Sequence, residues 1–477
     1  MNPLPIALAA VLTSTAVPAG DPAVTIYRSD SDELFGAGTQ AVAEGHAVIH
    51  EQRATTLGSG RQNLTIGGLP ALLDSEAINI DFGAAARVLG QRMIAPGAAG
   101  LLEAHRGQRV VVSDGGQNEL ASGELVAVDG ERIAIRATDG RIAYLQDYAR
   151  IDFPEGTGLP GSTLQVALDV SSAGSQTATL DYPTSGLGWR AAYAVHLDER
   201  GNSCRMRLDA LASIANRSGR GYDGATLKLV AGAPNLERGF QPMPRMAMKA
   251  MAAPAPAPEA MPEQSALGDY RSYLIDGAID LPDASVTQVP LYASRELDCT
   301  RRWLASFGYA WFPDRPQLNP GNDAASKQVV SSQLSFNAPE NLPAGRVRVL
   351  TRDRDGRNEL LGEARSSDTA KGRTLDLVLG TAFSLHASRE RSAFTVDRAA
   401  RTMDESFRVT LENAGENSTT LTVREHPNRW RVWELASSSQ KPARKTADQL
   451  EFEVAVPAHG KVTLDYRLRY RWTAADE

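Results

Sequence analysis

The sequence predicts a mainly β protein with several antiparallel β-sandwich-like lobes and a small SH3-like or Sm-like barrel near the N-terminal third. Three observations carry this expectation. Val462, Leu464, Tyr466, Leu468, Tyr470 and Trp472 alternate with Thr463, Asp465, Arg467, Arg469 and Arg471, the period of two expected of a strand with one apolar and one wet face. Four β-prone runs follow one another closely at 109–112, 124–128, 132–135 and 142–145, with Asp129-Gly130 and Asp139-Gly140 as turns between the later ones. A chain of 477 residues is also too long for one ordinary core and suggests about three domains.

Taken in chain order, the first nineteen residues read as a signal peptide. Pro5 to Val17 has the apolar, Ala/Leu-rich character of a secretory h-region, and Val17-Pro18-Ala19 supplies small residues for cleavage after Ala19. Its n-region carries only the amino terminus as positive charge. Export to a bacterial periplasm or medium is the expectation. Residues 20–100 read as an N-terminal β-module, in which Ala47-Val48-Ile49 and Leu64-Thr65-Ile66 are the clearest strands and Ala84 to Met93 a short helical patch. Residues 101–156 form the compact barrel-like unit, a shape that removes most free strand edges. Residues 157–477 are β-rich to the end. They are interrupted at 240–268 by a Pro/Ala/Met-rich stretch without periodicity, expected to be a flexible insertion.

Composition excludes some functions. A net charge of -7 spread along the chain lacks the clustered Lys/Arg that displaces phosphate counterions, so no nucleic-acid partner is expected. No apolar run long enough for a transmembrane helix follows the N-terminus.

The chemistry-bearing residues do not assemble in sequence. Cys204 and Cys299 are the two cysteines; in an oxidising compartment they are a possible disulfide, the alternative being two separate thiols. His46 and His50 are the closest histidines, but Val48-Ile49 between them indicates a strand, where residues four apart lie about 13 Å from each other, too far to share a metal. Asp353-Arg354-Asp355-Gly356-Arg357-Asn358 has its glycine at the wrong place for a calcium loop and reads as a polar hairpin. Ser438-Ser439-Gln440-Lys441 has Ser-x-x-Lys spacing without the helix or further partners that such catalysis needs. Gly58-Ser59-Gly60 lacks the strand-to-helix context of a phosphate cradle. Arg/Trp interleaving over 424–433 and 467–472 reads as sheet packing beside a charged face. Met243, Met246, Met248, Met251 and Met261 form a methionine cluster whose soft thioethers could hold Cu(I). No catalytic, metal or cofactor residue is assigned.

One set of motifs resembles a known family. Tyr182-Pro183-Thr184-Ser185-Gly186-Leu187-Gly188-Trp189-Arg190-Ala191-Ala192-Tyr193, Asn216-Arg217-Ser218-Gly219, Leu342 to Val349, Leu379 to Phe383, Glu412-Asn413 and the closing strand Tyr466 to Trp472 are similar to the mucoidy-inhibitor-like family, domain of unknown function 4139. The resemblance covers about 160–472 and implies exported bacterial β-proteins with no established reaction. After Asn216-x-Ser218-Gly219 the family pattern runs acidic, acidic, Trp, whereas this chain has Arg220-Gly221-Tyr222. The expected function is therefore non-catalytic binding or scaffolding in the cell envelope, with an unidentified protein or envelope partner. The alternatives are a glycan or peptide hydrolase whose residues come from distant loops, and Cu(I) binding by the methionine segment.

Overall fold

In the computed structural model nearly all of the regular secondary structure among the described residues is strand. The structure describes residues 13–130, 132–153, 161–200, 203–232, 264–267, 270–321 and 326–476, so most of the methionine-rich stretch, including its five methionines, lies outside the described residues. The chain divides into two compact units, residues 1–191 with 211–292 and residues 192–210 with 293–477.

Two sheets lie wholly within the first unit. The larger is mixed, and its backbone runs through strands Tyr270–Leu281, Tyr222–Ala231, Ala23–Tyr27, Ala47–Leu57, Thr13–Pro18, Gly60–Leu69, Ser162–Val170 and Ala86–Ile94 in that spatial order. Two neighbour pairs are parallel, Tyr222–Ala231 with Ala23–Tyr27 and Thr13–Pro18 with Gly60–Leu69. Strand Ala47–Leu57 alternates buried and exposed positions along its whole length, and Gly174–Thr184 pairs with all eleven of its residues. The helical patch expected near Ala84 to Met93 is instead the strand Ala86–Ile94 at the sheet edge, paired with Ser162–Val170. Gly90 and Val88 weaken a helix there, by about 1 kcal/mol for the glycine. The open edge of Ser162–Val170 meanwhile offers a full ladder of partners.

The second sheet of this unit contains the runs foreseen between Arg109 and Leu145. Its five antiparallel strands, in the order Ile142–Leu145, Arg132–Arg136, Glu119–Asp129, Arg109–Ser113, Arg150–Asp152, close over Leu102, Val110, Val112, Leu125, Ile133 and Ile135. The Asp139-Gly140 turn differs in detail from a two-residue hairpin. Gly140 donates to Ala137 O at 3.0 Å, Ala137 donates to Arg141 O at 2.9 Å, and only Gly140 has positive φ. This is the three-residue loop in which a type I turn precedes a left-handed residue.

The second unit is dominated by a nine-stranded sheet in the order Trp433–Ser438, Gly460–Arg471, Thr402–Asn413, Thr374–Asp397, Ser326–Asn337, Thr300–Gly308, Thr419–His426, Leu450–Val456, Arg444–Lys445. Its inward faces pack Trp430, Phe452, Leu464, Tyr466, Leu468 and Tyr470. Each such side chain taken fully out of water contributes about 1.5–3 kcal/mol. Asp353 and Gly356 form a polar hairpin between Gly345–Arg352 and Asn358–Ser366, with Asp353 Oδ1 accepting from the amides of Asp355 at 2.8 Å and Arg357 at 3.0 Å. Those bonds occupy the carboxylate with its own backbone.

Candidate functional site

The same period of two that buries the core also carries charges inward. On strand Thr402–Asn413 the buried positions are Met403, Glu405, Phe407, Val409, Leu411 and Asn413, so Glu405 shares a face with apolar neighbours. Glu425 does the same beside Leu421 and Val423. A carboxylate removed from water in this way needs a charged and hydrogen-bonded partner.

Strand Thr374–Asp397 supplies two of these partners. Arg389 Nη1 donates to both oxygens of Glu425, at 2.6 and 2.7 Å, and the Tyr466 hydroxyl donates to Glu425 Oε2. Arg391 Nη1 donates to Glu405 Oε1 at 3.2 Å, Arg429 Nε to the same oxygen at 2.5 Å, and the Tyr470 hydroxyl to Glu405 Oε2 at 3.4 Å. The two centres therefore follow one plan, a buried glutamate bound by arginine and tyrosine. Arg389 also lies over the rings of Phe407, at 4.6 Å, and Phe307, at 5.2 Å. Burial pushes the Glu425 carboxyl above its usual range against the pull of Arg389 and Tyr466. Burial likewise raises both tyrosines well above theirs, so they remain hydrogen-bond donors.

Arg389, Arg391, Arg429, Glu405, Glu425, Phe407 and Tyr470 line one side of a cleft of about 530 Å³, within the size range of small-molecule sites. A loop after Thr300–Gly308 supplies the other side. Arg429 fastens it, donating to the carbonyls of Gln317 at 3.0 Å, Asn319 at 2.6 Å and Pro320 at 2.9 Å. At the cleft, Trp311 is 62% exposed, and nearby in the loop Tyr309 is 78% exposed. Neither aromatic was singled out in the sequence. The signal was present as Tyr309-Ala310-Trp311-Phe312-Pro313, an aromatic cluster in a proline-containing stretch with no strand period.

The arrangement can hold a ligand but is poorly set up for acid–base chemistry. The Glu405 and Glu425 side chains are 4% and 3% exposed, and their oxygens accept from arginine and tyrosine. A glycosidase pair needs one reachable carboxyl that releases a proton and a second that attacks or activates water. A second arrangement, Asp209 with His196 Nε2 at 3.3 Å and the Ser294 hydroxyl, has its carboxylate in the middle. The serine donates to the aspartate and not to the imidazole, the reverse of nucleophile activation. Among the described residues no group of three or more His, Cys, Asp or Glu is arranged to hold a metal ion.

The remaining sequence candidates are dispersed. Cys204 and Cys299 form a disulfide with a Cα–Cα distance of 5.0 Å, and the Cys299 amide donates to Cys204 O. Ala19 follows strand Thr13–Pro18, its amide donating to Gln52 O at 2.9 Å. His50 meets Asp181, and the His46 ring lies tilted against Tyr27, with centroids 5.2 Å apart. Ser438 donates to Gln440 O at 2.6 Å, within its own turn. Arg424 binds Glu451, Arg431 covers the buried Trp430, and Trp433 donates to Ala447 O. Arg220, at the departure from the family pattern, makes a two-pronged pair with Glu51, at 3.0 and 2.8 Å, in a buried group with Arg53 and Tyr182. Its positive charge thus has a partner that an acidic residue at 220 would repel.

No helix among the described residues is long and apolar enough to cross a membrane, which does not bear on strand-built barrels. No curated protein matches the chain. The family model described as domain of unknown function DUF4139 matches residues 178–474, more than half of the sequence and all of the cleft. The chain belongs to the DUF4139 family.

Proposed function

We propose that this chain is an exported envelope protein that binds or scaffolds other components without catalysing a reaction. The observation supporting it is the cleft of the second unit, whose two carboxylates are each tied to arginine and tyrosine while aromatic and polar groups stand open beside them. Such a surface favours retention of a ligand over bond cleavage. The paired cysteines and the apolar leader ending at Ala19 support an oxidising compartment outside the cytoplasm.

The test incubates the full chain with envelope polysaccharide and peptide, measuring retention on the material and the release of new reducing ends or amines. Retention without release is expected. Turnover that disappears in Glu405→Gln or Glu425→Gln would overturn the binding reading and establish a hydrolase.

A further inference from the structure

We infer that the Trp311 cleft is a binding site for a pyranose oligosaccharide; this deepens the binding reading above and rests on it. A pyranose ring has an apolar face of C–H groups and a rim of hydroxyls that both donate and accept. Its recognition needs an open aromatic plane beside planar polar groups, and the cleft provides both. Trp311 lines it with 62% of its surface open, a large flat apolar ring with a polar N–H at its edge.

The polar side is equally specific. Gln317 and Asn428 line the cleft, and neither side-chain amide makes a hydrogen bond to another described residue. Each offers one acceptor and two donors, the mixture a vicinal diol requires. Arg389, Arg391, Arg429, Glu405 and Glu425 line the same cleft, three guanidinium groups paired with two carboxylates. An extended peptide is a poorer fit, because it binds by adding main-chain hydrogen bonds at a strand edge, whereas this cleft is lined by side chains and loop.

The experiment titrates the full chain, disulfide intact, with cellotetraose and chitotetraose, followed by calorimetry and tryptophan fluorescence. Saturable binding with Kd at or below about 1 mM is expected for at least one tetrasaccharide, with about tenfold weakening in Trp311→Ala. Trp311→Phe should retain most of the affinity and Asn428→Ala lose part of it. Trp311 is a surface side chain, so an unchanged melting temperature shows that the variant is folded. Absence of saturable binding, binding unaffected by Trp311→Ala, or displacement of the sugar by an unrelated peptide overturns the inference. Capture of a protein partner by a chain that binds no sugar overturns the cleft assignment alone. Sugar cleavage overturns the binding reading.

Discussion

Asn216, in the first unit, and Asn413, in the second, perform the same task, each as the last residue of a long strand. Asn216 Nδ2 donates to Arg220 O at 2.7 Å and Leu281 O at 2.9 Å, and its Oδ1 accepts from the Ser218 amide at 3.1 Å. Asn413 Nδ2 donates to Asn417 O at 2.9 Å and Val456 O at 3.2 Å, and its Oδ1 accepts from the Gly415 amide at 2.9 Å. In both cases the distant carbonyl precedes a proline, Pro282 or Pro457, followed two residues later by a non-glycine residue at positive φ, Ala284 or His459. The motif Leu281-Pro282-x-Ala284 and its counterpart Val456-Pro457-x-His459 mark a structural repeat. Asn216→Ala and Asn413→Ala should each cost about 1–3 kcal/mol, because buried carbonyls lose their donor. Substitution by Asp should not rescue, since its side chain cannot donate. Urea unfolding checks both.

The Glu51 group predicts an acid response. Burial alone would raise the Glu51 carboxyl, but the bonds and charges of Arg220, then Arg53, hold it below the usual range. The unfolded chain therefore binds the proton more readily. The stability that Glu51 contributes is fully present above its unfolded value of about 4.3 and is lost as pH falls through the lower folded value. In wild type minus Glu51→Gln, the stability difference should shrink as pH drops from about 5. Glu51→Ala at neutral pH should cost about 3–5 kcal/mol, leaving Arg53 and Arg220 without their anion. A difference that does not change with pH would refute the assignment.

The disulfide should be a staple of the second unit. Cys204–Cys299 spans 95 residues, so reduction or a double Cys→Ser change should destabilise by about 2–4 kcal/mol through the freedom regained by the unfolded chain. Denaturant midpoints with and without reductant measure it. Equal midpoints would show that the bridge adds nothing.

Cleavage of the proposed leader would change one sheet. Thr13 to Ala16 pair in parallel with Asn63 to Ile66. If cleavage follows Ala19, mass spectrometry of the exported chain should find Gly20 at the N-terminus. The side of Gly60–Leu69 that faced Thr13–Pro18 then becomes an edge with unpaired backbone groups. Amide exchange over 63–66 should be faster in the processed chain than in the full-length one. Recovery of Met1 from the exported fraction would refute cleavage.

Local pattern was legible wherever it coincided with tertiary need. The strands between Arg109 and Leu145 and the closing strand to Trp472 could be read because alternation and turn residues leave few other solutions. Ala84 to Met93 could not, because a weakly helical run near Gly90 joined a sheet edge that only the fold supplies. Glu405 and Glu425 were invisible for a related reason. In sequence they are ordinary polar letters within strands, and nothing local says that their faces turn inward.

By itself, the sequence determined the β-class, its family membership and the absence of a contiguous catalytic motif, since each of these is written in short-range order. Tertiary structure alone decided which charges are buried, which arginine neutralises which glutamate, and that Trp311 stands open beside them. Those pairings join residues as distant as Arg220 and Glu51. Burial makes an unpaired charge so costly that each needs its partner, a demand that a linear chain does not face until the sheets close.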